Sequence, residues 1–123
     1  MKTILIVDDA QDYASNLREE LVRAGYTVVL AFNGKEGVEQ AARCRPDLIL
    51  MDVLMPDFDG AETTIKITEQ EGLKDIKIVF LTSVTSGKDA ILPVMGRNYP
   101  ALSKRLYHEK IVAKVREYLG DAV

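Results

Sequence analysis

Four short apolar runs recur along the chain, TILIV (3–7), TVVLA (27–31), DLILM (47–51) and IKIVFL (76–81), with helical patterns between them. A run this short and this continuously apolar suits a strand covered on both faces. Leu17, Leu21 and Ala24 give the first intervening segment an inward face. Val38, Ala41 and Ala42 do the same for the second, and Ile65, Ile67 and Thr68 mark a third near 59–70. Alternating strands and helices joined by right-handed crossovers make a parallel sheet with helices on both sides, a doubly wound α/β sandwich. The last third is less regular. The pattern predicts a helix around 87–95, which must accommodate Pro93, and a short edge strand around 100–103 beginning with Pro100. A final helix over 108–119 lines one face with Ile111, Val115, Tyr118 and Leu119 and leaves Lys110, Lys114 and Arg116 to solvent.

The 123 residues, 47% hydrophobic and 28% charged, suit one domain, 1–123, with a single core and no linker. A net charge of -3 gives no whole-domain electrostatic footprint for nucleic acid. Cys44 has no partner for an intrachain disulfide, and no Cys/His cluster offers a zinc site, so a reduced, cytoplasmic setting is expected. The opening MKTILIVDD has too short an apolar stretch for a signal peptide or a membrane span. There is no GxxxxGK, and NGKEG (33–37) is not a dinucleotide fingerprint. His108, the only histidine, reads as a surface or capping residue at the start of the last helix.

The chemistry lies at strand ends. Asp8 and Asp9 follow the first strand, and Asp52 follows the third, in MDVLMPDFDG (51–60). In open α/β sheets ligands gather at the carboxyl rim, because helices occupy the faces. Three carboxylates converging there repel one another unless a cation compensates, and a hard divalent ion such as Mg2+ is the economical partner. Turn formation by Asp52, and capping of the first helix by Asp8 and Asp9, are the structural alternatives. Thr82 ends the fourth strand, and Lys104 comes near the end of the fifth. A carboxylate, a divalent cation, a hydroxyl and a lysine together suit an anionic, oxygen-rich group such as phosphoryl.

The ordered set Asp8-Asp9, Asp52 in D-V-L-M-P-D-F-D-G (52–60), Thr82 and Lys104 resembles the receiver domain of bacterial two-component response regulators. The spacings of 30 residues from Asp52 to Thr82 and 22 from Thr82 to Lys104 match as well. The resemblance implies a stand-alone, chemotaxis-regulator-like, flavodoxin-like three-layer (βα)5 sandwich with parallel sheet order 2-1-3-4-5. It makes Asp52 the phosphoryl acceptor, served by a sensor histidine kinase or phosphotransfer protein. It places Mg2+ on Asp9, Asp52 and the Leu54 carbonyl, with Asp8 helping through water. Thr82 is to close on the phosphoryl oxygens and Lys104 to pair with the acyl phosphate. The resulting expectation is a phosphoprotein that switches protein contacts around the fourth helix, fifth strand and fifth helix. It is not an enzyme with an external substrate, inserts in no membrane, contacts no nucleic acid directly, and is a monomer or weak dimer with an unidentified downstream target.

Three positions depart from that family. Arg105 stands where proline usually follows the lysine, Ala101 stands at the usual aromatic switch position, and GRNYP (96–100) replaces a small-residue turn. Tyr99, on the same side of the strand as Ala101, is a possible deputy. Gly96 and Asn98 are expected to supply positive φ there. These departures keep open a phosphorylation-independent pseudo-receiver that only binds. A small aspartate-nucleophile phosphatase is a further alternative, against which stands Leu54 two residues after Asp52. The resemblance also implies that the side chains two residues after the acceptor and two after the threonine, here Leu54 and Val84, flank the approach of hydrolytic water, and neither can hydrogen-bond it, which predicts a long-lived acyl phosphate.

Overall fold

The computed structural model describes residues 1–83 and 90–121. The elements are β1 (Thr3–Val7), α1 (Gln11–Arg23), β2 (Thr27–Ala31), α2 (Gly34–Cys44), β3 (Leu48–Asp52), α3 (Gly60–Thr68), β4 (Lys77–Thr82), β5 (Ala90–Val94), β6 (Arg97–Ser103) and α4 (His108–Leu119). They build one sheet of order β2-β1-β3-β4-β6-β5, parallel except for β5 against β6.

Strand periodicity divides the interior into two layers. Ile4, Ile6, Leu48, Leu50, Val79, Leu81 and Leu102 pack on the α1 and α4 side against Leu17, Leu21, Ile111 and Val115. Leu5, Val7, Ile49, Met51, Ile78, Phe80 and Ala101 pack on the other side against Ala41, Ile67, Leu73 and Tyr99. The doubly wound sandwich is thus as expected. Ala42 is exposed, and Gly34, Gly37 and Ala41 form the buried face of α2 instead.

The expected helix over 87–95 is corrected. Residues 90–94 form a strand, and 87–89 lie outside the described residues. The chain reverses through Met95 and Gly96, with φ of 50° and 78°, the positive pair that a two-residue hairpin turn requires. Met95 and Gly96 supply it, and Asn98, expected to share the role, has no positive φ. Such a turn makes Val94 and Arg97 a hydrogen-bonded pair, so Pro93, one step on, directs its donorless nitrogen to the open edge. The residue that breaks the helix is the one an edge strand tolerates.

The expected edge strand at 100–103 is likewise longer and internal. It runs Arg97–Ser103 between β4 and β5, and its pairing with β4 begins only at Ala101, so Pro100 needs no ladder donor there. The fifth place in the sheet is kept, a sixth strand is added beyond it, and four helices stand among the described residues.

Candidate active site

The same periodicity that sorts the core also aims the rim. Ile4, Ile6 and Asp8 run along one face of the first strand and its extension, and Leu48, Leu50 and Asp52 along the same face of β3. Leu102 and Lys104 continue that face on β6, whereas Thr82 and Ser103, paired in register, follow the opposite one. Asp8, Asp52 and Lys104 therefore meet under α1 and α4, and Thr82 approaches from the α3 side.

Asp8, Asp9 and Asp52 each bring a carboxylate oxygen to within 4.8 Å of the others. Asp8 and Asp52 are buried, and Asp9 is exposed. Asp8 Oδ1 accepts the Ala10 N–H at 2.9 Å in a turn ahead of the helix, and α1 starts without a side-chain cap, so the capping alternative does not hold. Asp8 Oδ2 lies 2.7 Å from Lys104 Nζ but receives no well-directed hydrogen bond. Lys104 Nζ is 3.4 Å from Asp52 Oδ1. Burial first, and then the Asp8 charge, push the Asp52 carboxyl up to about 7 against the lowering pull of Lys104. A mutually repelling oxygen cluster, with two of its three carboxylates buried and an acceptor lacking a hydrogen bond, fits a hard divalent cation, and Mg2+ suits its oxygen donors.

Local sequence holds this rim in place. The Lys104 N–H donates to the Thr82 carbonyl at 2.9 Å, and the Arg105 N–H donates to the buried Ser103 Oγ at 3.0 Å. All described peptide bonds are trans, so this serine turn shapes the loop after Lys104. Gly60 opens α3 against the acidic loop, its N–H donating to the Val53 carbonyl at 2.8 Å. A Cβ there would stand 2.4 Å from the Asp52 carbonyl oxygen, which requires glycine. Asp57 accepts the Gly34 and Lys35 N–H groups, each at 2.9 Å, and so ties the loop to the start of α2. Asp59 caps α3 through the Glu62 N–H at 2.8 Å.

Sequence reasoning missed Ser103, Asp57 and Tyr13. Tyr13 falls on the α1 stripe that also carries Leu17 and Leu21, a four-residue spacing that could have flagged it. Val84 lies outside the described residues, and Leu54 is 69% exposed. Tyr99 is buried edge-on against Phe80, 5.8 Å between ring centroids, and shares its layer with Ala101. His108 is the first residue of α4 and Cys44 the last of α2, where burial raises the thiol pKa.

The family model described as the response regulator receiver domain matches residues 4–116. The chain belongs to that family. It is 29% identical over 121 residues to the polar-differentiation response regulator DivK of Brucella anthropi, covering 98% of each chain. Among solved structures it is similar to the chemotaxis protein CheY4 of Vibrio cholerae, with a TM-score of 0.83, 28% identity, and coverage of 95% of this chain and 98% of the other. It is similar also to the response regulator TrrA of Thermotoga maritima, solved in complex with Mg2+-BeF, with a TM-score of 0.79, 30% identity, and coverage of 95% and 98%. Its acidic cluster is the Mg2+ site of a receiver domain, a phospho-aspartate signalling module of two-component or phosphorelay systems. As such it gains and loses phosphoryl on itself, with a histidine kinase or phosphotransfer protein as its general class of donor. Among the described residues no helix is long and apolar enough to cross a membrane.

Proposed function

We propose that Asp52 is the phosphoryl acceptor and that Asp8, Asp9, Thr82 and Lys104 serve it. One observation carries the reading: Asp52 ends a fully buried strand inside a carboxylate cluster that an ammonium also faces. In the transfer, an Asp52 carboxylate oxygen forms the new bond to phosphorus as the bond to the donor's imidazole nitrogen breaks. The imidazole departs with that electron pair. Lys104 balances charge on the acyl phosphate, and the Thr82 hydroxyl supplies a donor from the opposite face of the sheet. Asp9, Asp52 and the Leu54 carbonyl would hold Mg2+, with Asp8 behind them, and the ion supplies charge neutralisation at the phosphoryl oxygens.

The output is a change in protein contacts by a monomer or weak dimer, and its surface includes the β5–β6 hairpin, whose β5 occupies part of the span expected as a helix. The test is mass measurement after incubation with Mg2+ and acetyl phosphate. The parent should gain one phosphoryl group, Asp52→Ala none, and Asp9→Ala none at moderate Mg2+. A stable adduct on Asp52→Ala, or unchanged labelling of Asp9→Ala with unchanged Mg2+ affinity, counts against the assignment.

A further inference from the structure

Lysine is a poor candidate for precise placement by its own backbone, since four rotatable bonds separate its charge from the chain. Arg105, which follows Lys104, adds no ring to restrain that backbone. The ammonium is nevertheless held in one place, between Asp8 at 2.7 Å and Asp52 at 3.4 Å, with only 16% of the side chain exposed. Two acids alone do not explain this, because they could draw the ammonium from several directions.

A further contact comes from α1. Lys104 Nζ lies 4.9 Å from the centroid of the Tyr13 ring. An ammonium at that distance over an aromatic face is attracted by the ring's negative π surface, and the attraction grows when both are shielded from water. The ring is itself fixed. His108 meets it edge-on at 5.2 Å with planes at 87°, and it packs on the layer that holds Leu17, Leu21 and Ile111. The Tyr13 hydroxyl is buried and makes no hydrogen bond, so no polar tether explains where the side chain sits.

We propose that Tyr13 is the positioning residue of Lys104, its ring fixing the ammonium between Asp8 and Asp52 so that it faces the phosphoryl group. Tyr13 acts through the face of the ring, and its hydroxyl is dispensable. Burial, together with the charges of Asp8 and Asp52, raises the Tyr13 pKa, so the phenol stays neutral and adds no third anion for the ammonium to choose. His108 completes the device by backing the ring from the first turn of α4. This inference rests on the reading of Asp52 as acceptor.

The experiment compares Tyr13→Phe and Tyr13→Leu, in the parent and in Lys104→Gln, by the initial rate of acetyl phosphate labelling at saturating Mg2+. Tyr13→Phe should stay within about twofold of the parent, and Tyr13→Leu should fall roughly tenfold, the effect of a partly desolvated cation–π contact. In Lys104→Gln the same leucine change should alter the rate less than about twofold, since nothing is left to position. An unchanged rate in Tyr13→Leu, equal losses for phenylalanine and leucine, or an equal leucine effect without Lys104 overturns the proposal. A second readout needs no labelling. The Lys104 Hε protons should be shifted upfield by the ring current in the parent and in Tyr13→Phe, and lose that shift in Tyr13→Leu. Retention of the shift in Tyr13→Leu also overturns the proposal. Failure of the acceptor reading looks different, because the parent would then not be labelled on Asp52 while the proton shifts still report on the ring.

Discussion

Lys104 Nζ stands 2.7 Å from Asp8 Oδ2, so the deepest carboxylate of the rim faces an ammonium rather than water. A divalent cation drawn to the same acids is repelled by that ammonium, and the two compete for the Asp8 charge. Lys104→Met keeps the stem and removes the charge. It should bind Mg2+ more tightly, by about tenfold, a modest share of the Coulomb energy available at such distances. Its labelling by acetyl phosphate should slow despite the better-filled site. Titration calorimetry of parent and variant checks the affinity, and equal or weaker Mg2+ binding by Lys104→Met contradicts the competition.

The Asp52 carboxyl predicts how metal-free stability varies with pH. Its folded pKa is raised to about 7, by burial and then by Asp8, from an unfolded value of roughly 4. The fold therefore retains a proton that the unfolded chain releases. This contribution is fully present below roughly 4 and is lost as pH rises through about 7. In EDTA, the parent should lose stability between about pH 5 and 8, and Asp52→Asn, neutral throughout, should lose less. Urea unfolding midpoints at the two pH values decide it, and equal losses would mean that Asp52 does not carry the effect.

Much of the rim was legible because strand ends are marked by where apolar runs stop. Asp8 and Asp52 each follow such a run, and two-residue periodicity then puts both on the face shared with Lys104. The region after Thr82 was misread because Ile91, Leu92 and Val94 are equally compatible with a short helix face and a strand. The clue was the pairing of Pro93 with the two-residue reversal at Met95-Gly96, a relation between segments rather than a property of either. Asp57 was hidden for a similar reason, because the N–H groups it accepts lie 22 and 23 residues away, beyond any local motif. Ser103 instead accepts the Arg105 N–H two residues on, a local serine turn that the sequence could have flagged.

Leu54 offers a test of phosphoryl lifetime. This residue follows Asp52 by two positions, is 69% exposed, and has no side-chain group that can orient a water molecule. Leu54→Asn supplies a donor and an acceptor at that point. Phospho-Asp52 should then decay severalfold faster once the donor is removed and Mg2+ held constant. Val84, which shares the expectation, is tested by Val84→Glu in the same assay. Decay in the parent as fast as in both variants rules out a lifetime set by these apolar side chains.

The hairpin makes a prediction whose sign separates it from a helix. Met95 adopts a φ of 50° although the residue is 83% exposed, so it accepts left-handed backbone without gaining burial in return. Asparagine enters that region more readily, and Asn-Gly is a preferred pair for a two-residue turn with positive φ at both positions. Met95→Asn should therefore stabilise the protein by about 0.5–1 kcal/mol, the range seen when a residue is matched to its backbone conformation. The corresponding rise in Tm is about 2–6 °C for a domain of this size. In a helix the same change has the opposite sign, because asparagine is the poorer helix former by several tenths of a kcal/mol. Thermal unfolding of parent and variant in EDTA reads the difference. A lower Tm for Met95→Asn would argue against the reversal at 95–96, and a higher one supports β5 as a strand in the place expected of a helix.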